Sequence, residues 1–200
     1  AAEDGIYTDP IDQVLQERLE KAVKTKDYEG TLKALKEGAV PTYKALYGES
    51  RYFYLNELRD FPTQKLFLGV VLGNQKWVEE ALEQGANVHF KFGKNQHKPT
   101  NNNFLHIFFG LFNRKLNPQI LKILLGQKID PVAYNCYYET PIHYAIWNGR
   151  SSVQSVIECI KVIISHGADM GFLNCQNFHP INDDLKELFI PFLDEKVLSS

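Results

Sequence analysis

The residues best suited to hold a metal in this chain are three cysteine–histidine pairs: Cys136 with His143, Cys159 with His166, and Cys175 with His179. Thiolate and imidazole are the donors zinc prefers, but a zinc site needs several of them converging on one point. The separations here are seven, seven and four residues, and no Cys-x-x-Cys is present. Cys159 and His166 would lie two turns apart on one helical face, too far for a single ion. Nucleophilic and phosphate chemistry fare no better. The chain has no Gly-rich phosphate loop, no nucleophile elbow and no paired-His helix motif. Glu139 four residues before His143 is a conceivable acid–base pair, and a solvated carboxylate is the plainer reading. The expectation is no catalytic residue, no metal and no cofactor. The chain is read as not an enzyme.

What must position these residues follows first from bulk properties. Two hundred residues with 44% apolar and 23% charged side chains can bury a core without metals or disulfides. The longest apolar run, Phe104 to Phe112, includes His106 and falls far short of a membrane span. A net charge of −2 argues against a general nucleic-acid binder. That charge is uneven: −3 over residues 1–62, +5 over 63–150 and −4 over 151–200. A basic middle between acidic ends could steer an acidic protein surface or a phosphorylated ligand, or be a chance mixture on solvated faces. Three cysteines and no signal peptide suggest the cytoplasm or another reducing intracellular compartment. The absent initiating Met and the ending at Ser199-Ser200 suggest a piece of a longer chain, expected to be monomeric.

One phrase recurs along the chain: an amphipathic helix that ends in a Gly-Ala-like turn. It appears at Leu32–Ala39, Val78–Asn87, Ile120–Asp130 and Val162–Asp169. Gly38, Gly85 and Gly167 stand where a helix ends with positive φ, and Lys128 fills that position in the third copy. A second phrase opens the unit. Thr140-Pro141-Ile142-His143-Tyr144-Ala145 offers a hydroxyl cap followed by Pro in the first turn. Asn103–Phe108 repeats it with Asn as the cap, His179–Asn182 is a degraded version, and Gln64–Gly69 fits by register.

These two phrases in phase resemble the ankyrin repeat, whose units open on Thr-Pro-Leu-His-x-Ala and close on Gly-Ala-Asp. The resemblance implies an all-α solenoid of about four stacked helix–turn–helix units with hairpin fingers, plus capping helices. It also implies that His106 and His143 hydrogen-bond within the turn and lock neighbouring units. The expected layout is a single domain over residues 1–200. A capping unit spans 11–40 and an insertion 41–62. Repeats follow at 63–102 (with a long finger), 103–139 and 140–178, and a C-terminal capping unit spans 179–198. The turn positions are 47, 43 and 39 residues apart, against a family unit of about 33, so insertions are expected. Inside the N-terminal cap, Val14, Leu15, Leu19, Ala22 and Val23 are expected to face the core and Gln16, Glu17, Glu20, Lys21 and Lys24 the solvent. A helix is expected within 47–58.

The resemblance also implies a function: a non-catalytic module that binds a partner protein on its concave surface of fingertips and first-helix edges. Register then marks the contact residues. Tyr137 and Glu139 fall at a fingertip, Trp147 and Asn148 on the neighbouring helix edge, and Phe178 on the next finger, with Tyr134 and Tyr138 nearby. Lys91, Lys94 and Lys98 on the long finger, which carries no acid, would add attraction. Large aromatics here have no stacking neighbour that the repeat itself requires, so a partner would bury them. Two variants of this reading are a substrate-recruiting segment of a larger enzyme and a translocated bacterial effector acting on host proteins. No nucleic acid and no membrane is expected as a partner.

Overall fold

Helix starts in this chain are written mostly in Asp and Asn. Asp12, Asp27, Asp60, Asn74, Asn103, Asn117 and Ser152 each accept backbone N–H groups of the helix turn that follows. The computed structural model describes residues 12–41, 58–93, 100–110, 116–147, 151–174 and 183–194. The caps open α1 (Gln13–Lys24), α2 (Tyr28–Lys36), α3 (Phe61–Leu72), α4 (Gln75–Glu83), α5 (Phe104–Phe109), α6 (Pro118–Gly126) and α8 (Val153–Ser165). Thr140 opens α7 (Pro141–Trp147), accepting the His143 N–H at 3.3 Å. A 3-10 turn at Met170–Asn174, α9 (Asp183–Phe189) and a last 3-10 turn at Ile190–Phe192 follow.

Helix ends are as regular as the starts. Gly38, Gly85 and Gly167 adopt φ of 113°, 85° and 82°, and Lys128 reaches 61° at the equivalent place. At the first two turns a pair of bonds closes the end, from Gly38 N–H to Leu35 O and from Ala39 N–H to Ala34 O, then from Gly85 to Leu82 and from Ala86 to Ala81. This paired closure satisfies carbonyls that a helix end otherwise leaves open. A Lys in that conformation costs about 1 kcal/mol relative to Gly, which tertiary packing must offset.

Helices pack in pairs, α1 with α2, α3 with α4, α5 with α6 and α7 with α8. First helices form one row, α3 against α5 and α5 against α7; second helices form another, α4 against α6 and α6 against α8. Two rows of antiparallel pairs make a helical repeat solenoid, each unit covering the open face of its neighbour. The core runs along the seam, through Leu66, Phe67, Phe104, Phe108, Ile120, Leu124, Ile142 and Ile160. Leu185 and Phe189 of α9 close its far end. Among the described residues the only β-pairing is an isolated antiparallel bridge between Phe92 and Asn102, at the base of the long finger. Phe92 drops from that bridge between α3 and α5, its ring 5.5 Å from Phe67 and 4.9 Å from Phe104.

Three expectations change. Val14, expected inside, is 66% exposed, and Gln16, expected outside, is buried. The Gln16 amide takes the Val40 N–H at 2.9 Å and donates to Val40 O, so the segment leaving α2 draws it inward. The opening of α3 also moves. Repeat register puts it at Gln64, but the helix starts one turn earlier, at Asp60 with Pro62 in the first turn. Gln64 is then buried inside the helix and donates to Leu58 O at 2.7 Å. Asp60, Phe61 and Thr63 therefore build the helix start. The helix expected within 47–58 lies largely outside the described residues.

Candidate functional site

The finger that precedes α7 is closed by one side chain. Asn135 Oδ1 accepts the N–H of Tyr137 at 2.9 Å and of Glu139 at 3.0 Å, and its own N–H donates to Glu139 O at 3.0 Å. Short polar side chains that imitate backbone in this way are the usual makers of tight turns. The remaining amide hydrogens of Asn135 point into the array. Its Nδ2 donates to Asn102 Oδ1 at 2.9 Å and lies 3.2 Å from the Tyr144 hydroxyl, which Asn102 Nδ2 also reaches at 3.2 Å. Burial is the main reason the Tyr144 phenol is pushed up to about 12, so it stays a neutral donor and acceptor in this triangle.

Asn102 belongs to the long finger, so the triangle bolts two fingers together. A backbone bond from Cys136 N–H to Thr100 O at 2.9 Å runs beside it. A third link comes from His106 in α5. Its Nδ1 accepts the Asn103 N–H at 3.1 Å, completing a capping box, which leaves Nε2 to donate to Glu139 O at 2.9 Å. That pattern requires a neutral ring. Desolvation lowers its pKa to about 4, outweighing the opposing hydrogen bond to Glu139 O. His143 repeats the local half of the motif, accepting the Thr140 N–H at 2.9 Å, and burial lowers its pKa as well. The unit-locking role that the ankyrin resemblance implies is thus visible at His106.

On this frame the aromatic residues stand outward. Tyr137 is 51% exposed, Tyr138 81% and Trp147 48%, and Tyr134 is similarly open. Tyr138 also has a φ of 58°, a conformation that strains a bulky residue. Three of the rings are buttressed, contrary to the expectation that they lack neighbours. Tyr134 and Tyr138 meet edge to face with centroids 6.4 Å apart. Trp147 leans on His143 at 5.5 Å, and His143 in turn touches Phe172 at 5.6 Å. Glu139 is half-buried, and its carbonyl is already engaged by His106. Lys91 is exposed. Asn148, Phe178, Lys94 and Lys98 lie outside the described residues.

Of the two residues that matter most to this geometry, Asn135 and Asn102, Asn135 was not singled out by sequence reasoning. Only the general preference of Asn for turns could have flagged it. Among the described residues no group of three His, Cys, Asp or Glu could hold a metal, and no helix is long and apolar enough to cross a membrane. Cys159 is buried, with its thiol pushed up to about 12 mainly by desolvation; Cys136 is exposed at the fingertip, and both are free thiols.

Comparison with known families places this geometry. No curated protein matches the chain. The Ankyrin repeat family model matches residues 137–177, a span that begins at the fingertip, runs through α7 and α8, and continues past the Gly167 turn. Ankyrin repeats are generally protein–protein interaction modules and typically non-catalytic. The matched unit shares its capped helix pair and its positive-φ turn with the units before it. Over residues 137–177 the chain is similar to the ankyrin repeat.

Proposed function

We propose that this chain is a non-catalytic module that binds a partner protein through the fingertip 134–139 and the adjacent Trp147 edge of α7. The observation that carries this reading is the conjunction at one place of four exposed aromatic rings and a backbone held by hydrogen bonds to the buried Asn135 side chain. Exposed Tyr and Trp bury much area for few rotors, and a fixed tip loses little entropy on binding. Asn148 and Phe178 extend the surface by register, with Lys91, Lys94 and Lys98 steering approach. The proposed layout is one array: capping units at 11–40 and 179–198, an insertion at 41–62, and repeats at 63–102, 103–139 and 140–178.

Affinity capture from a eukaryotic lysate tests the surface when run in parallel with two variants. Proteins held by the wild-type chain should be lost with Tyr137→Ala/Trp147→Ala and kept with Val14→Ser, on the opposite end of the array. Equal capture by all three would place the binding surface elsewhere. Loss on substituting Tyr43 to Tyr54 alone would assign binding to the insertion.

A further inference from the structure

The row of first helices is closed along its middle. Thr63 to Val71 of α3 are buried without a break, and so are Asn102 to Gly110, the stretch that holds α5. Each run passes more than once round its helix, so neither helix keeps an open side. The composition of α5 agrees: Phe-Leu-His-Ile-Phe-Phe has no polar face, the mark of an interior helix. Its one polar ring, His106, is spent on the cap and on Glu139 O. Within α3 and α5 only Leu72, the last residue of α3, is exposed.

The opening lies at the next unit. Trp147 stands exposed at the end of α7, with Tyr134, Tyr137 and Tyr138 on the finger before it. Tyr138 keeps a φ of 58° although Gly or Asn would sit there with less strain, and its side chain takes no part in closing the turn. From Tyr134 to Trp147 the chain carries one carboxylate, on the half-buried Glu139, and no lysine or arginine. Burial holds the His143 ring below its ordinary pKa, which leaves it uncharged at neutral pH. The four rings are 48–81% exposed. At roughly 150–250 Å² for a whole aromatic side chain, they present no more than roughly 600 Å² together. A folded partner covers about 800 Å².

We infer that this patch docks a short, uncharged and apolar segment of a partner protein, not a folded domain laid along the first helices. The inference rests on the surface reading above and adds the class of ligand. A closed row denies a long interface, and the area of the rings suits a short stretch of chain. Charged groups in that stretch would give up hydration with only the half-buried Glu139 to meet them. Lys91 belongs to the long finger and bears on the approach of a whole partner rather than on the segment held.

A display library of random peptides, selected against the whole 200-residue chain, tests the ligand and the surface separately. Enriched sequences should share a short apolar core and no required charge. A synthesised member should bind almost equally at low and high salt. Tyr138→Gly should weaken it about tenfold while leaving the melting temperature unchanged or higher, because Gly suits the backbone there. Leu72→Ser, at the open end of α3, should leave its affinity unchanged. Winners whose binding needs Asp, Glu, Lys or Arg but still depends on Tyr138 would overturn the uncharged segment and leave the surface standing. Winners indifferent to Tyr138→Gly and Tyr137→Ala, or weakened by Leu72→Ser, would overturn the surface as well. A library that enriches nothing would overturn the short segment in favour of a larger occupant. Self-association of the chain that Tyr138→Gly abolishes would put a second copy on the patch instead.

Discussion

His106 shows how much one ring can hold. It caps α5 through Nδ1 and ties the next finger through Nε2, and the first of these bonds needs the ring neutral. Its folded pKa of about 4 lies below the ordinary histidine value of 6.5. The unfolded chain therefore binds the extra proton first as pH falls. The stability from the neutral ring is complete above about pH 6.5 and is lost progressively toward pH 4, about 3 kcal/mol in all from this residue. His143, lowered in the same direction, adds to the loss. Urea melts at neutral pH and at pH 5 should show the decline, and His106→Ala should flatten it. The same substitution should cost about 1–3 kcal/mol at neutral pH. Glu139→Ala should cost less than about 0.5 kcal/mol, since the acceptor is its backbone carbonyl and not its carboxylate. Equal losses from the two variants would contradict this assignment of roles.

At the scale of the helix, close approach sets the limits. A Cβ built on Gly69 would lie 2.9 Å from Val78 Cγ2 and 3.0 Å from the Val78 backbone nitrogen, where α3 crosses α4. The backbone atom cannot swing away, so Gly69→Ala should destabilise by about 1–3 kcal/mol, read as a lower urea midpoint with an unchanged slope. Unaltered stability would mean the pair tolerates a wider separation. Helix ends like those at Gly38 and Gly85 were legible in the sequence because their chemistry is local: a cap, a turn residue and the bonds between neighbours. The start of α3 was legible too, in Asp60 and Pro62, but the repeat register pointed a turn too far along. Gln16 was not legible by polarity, because the group that draws it inward, Val40, is 24 residues away. The fingertip divides the same way. Its aromatics could be picked out by register, whereas Asn135 depends on Asn102, 33 residues earlier, and nothing local announces that pair.

Taken as a whole, the array is a row of neighbours, and its stability comes from apolar surface shared between consecutive pairs. No metal is needed in that account. A chelator should therefore leave the thermal midpoint within about 2 °C, and a larger fall would mean that Cys and His side chains hold an ion after all. The triangle of Asn102, Asn135 and Tyr144 has a further consequence for how such a molecule can change over generations. The tip is secured from beneath, by buried or half-buried groups, while Tyr137 and Tyr138 lend only their backbones to its closure. Foundation and display are separate residues. Saturation mutagenesis scored by folded yield should find position 137 permissive, most replacements falling within about 0.5 kcal/mol of wild type, and position 135 intolerant of nearly all. A lineage could then exchange one partner for another by rewriting the exposed letters alone, without passing through an unfolded ancestor.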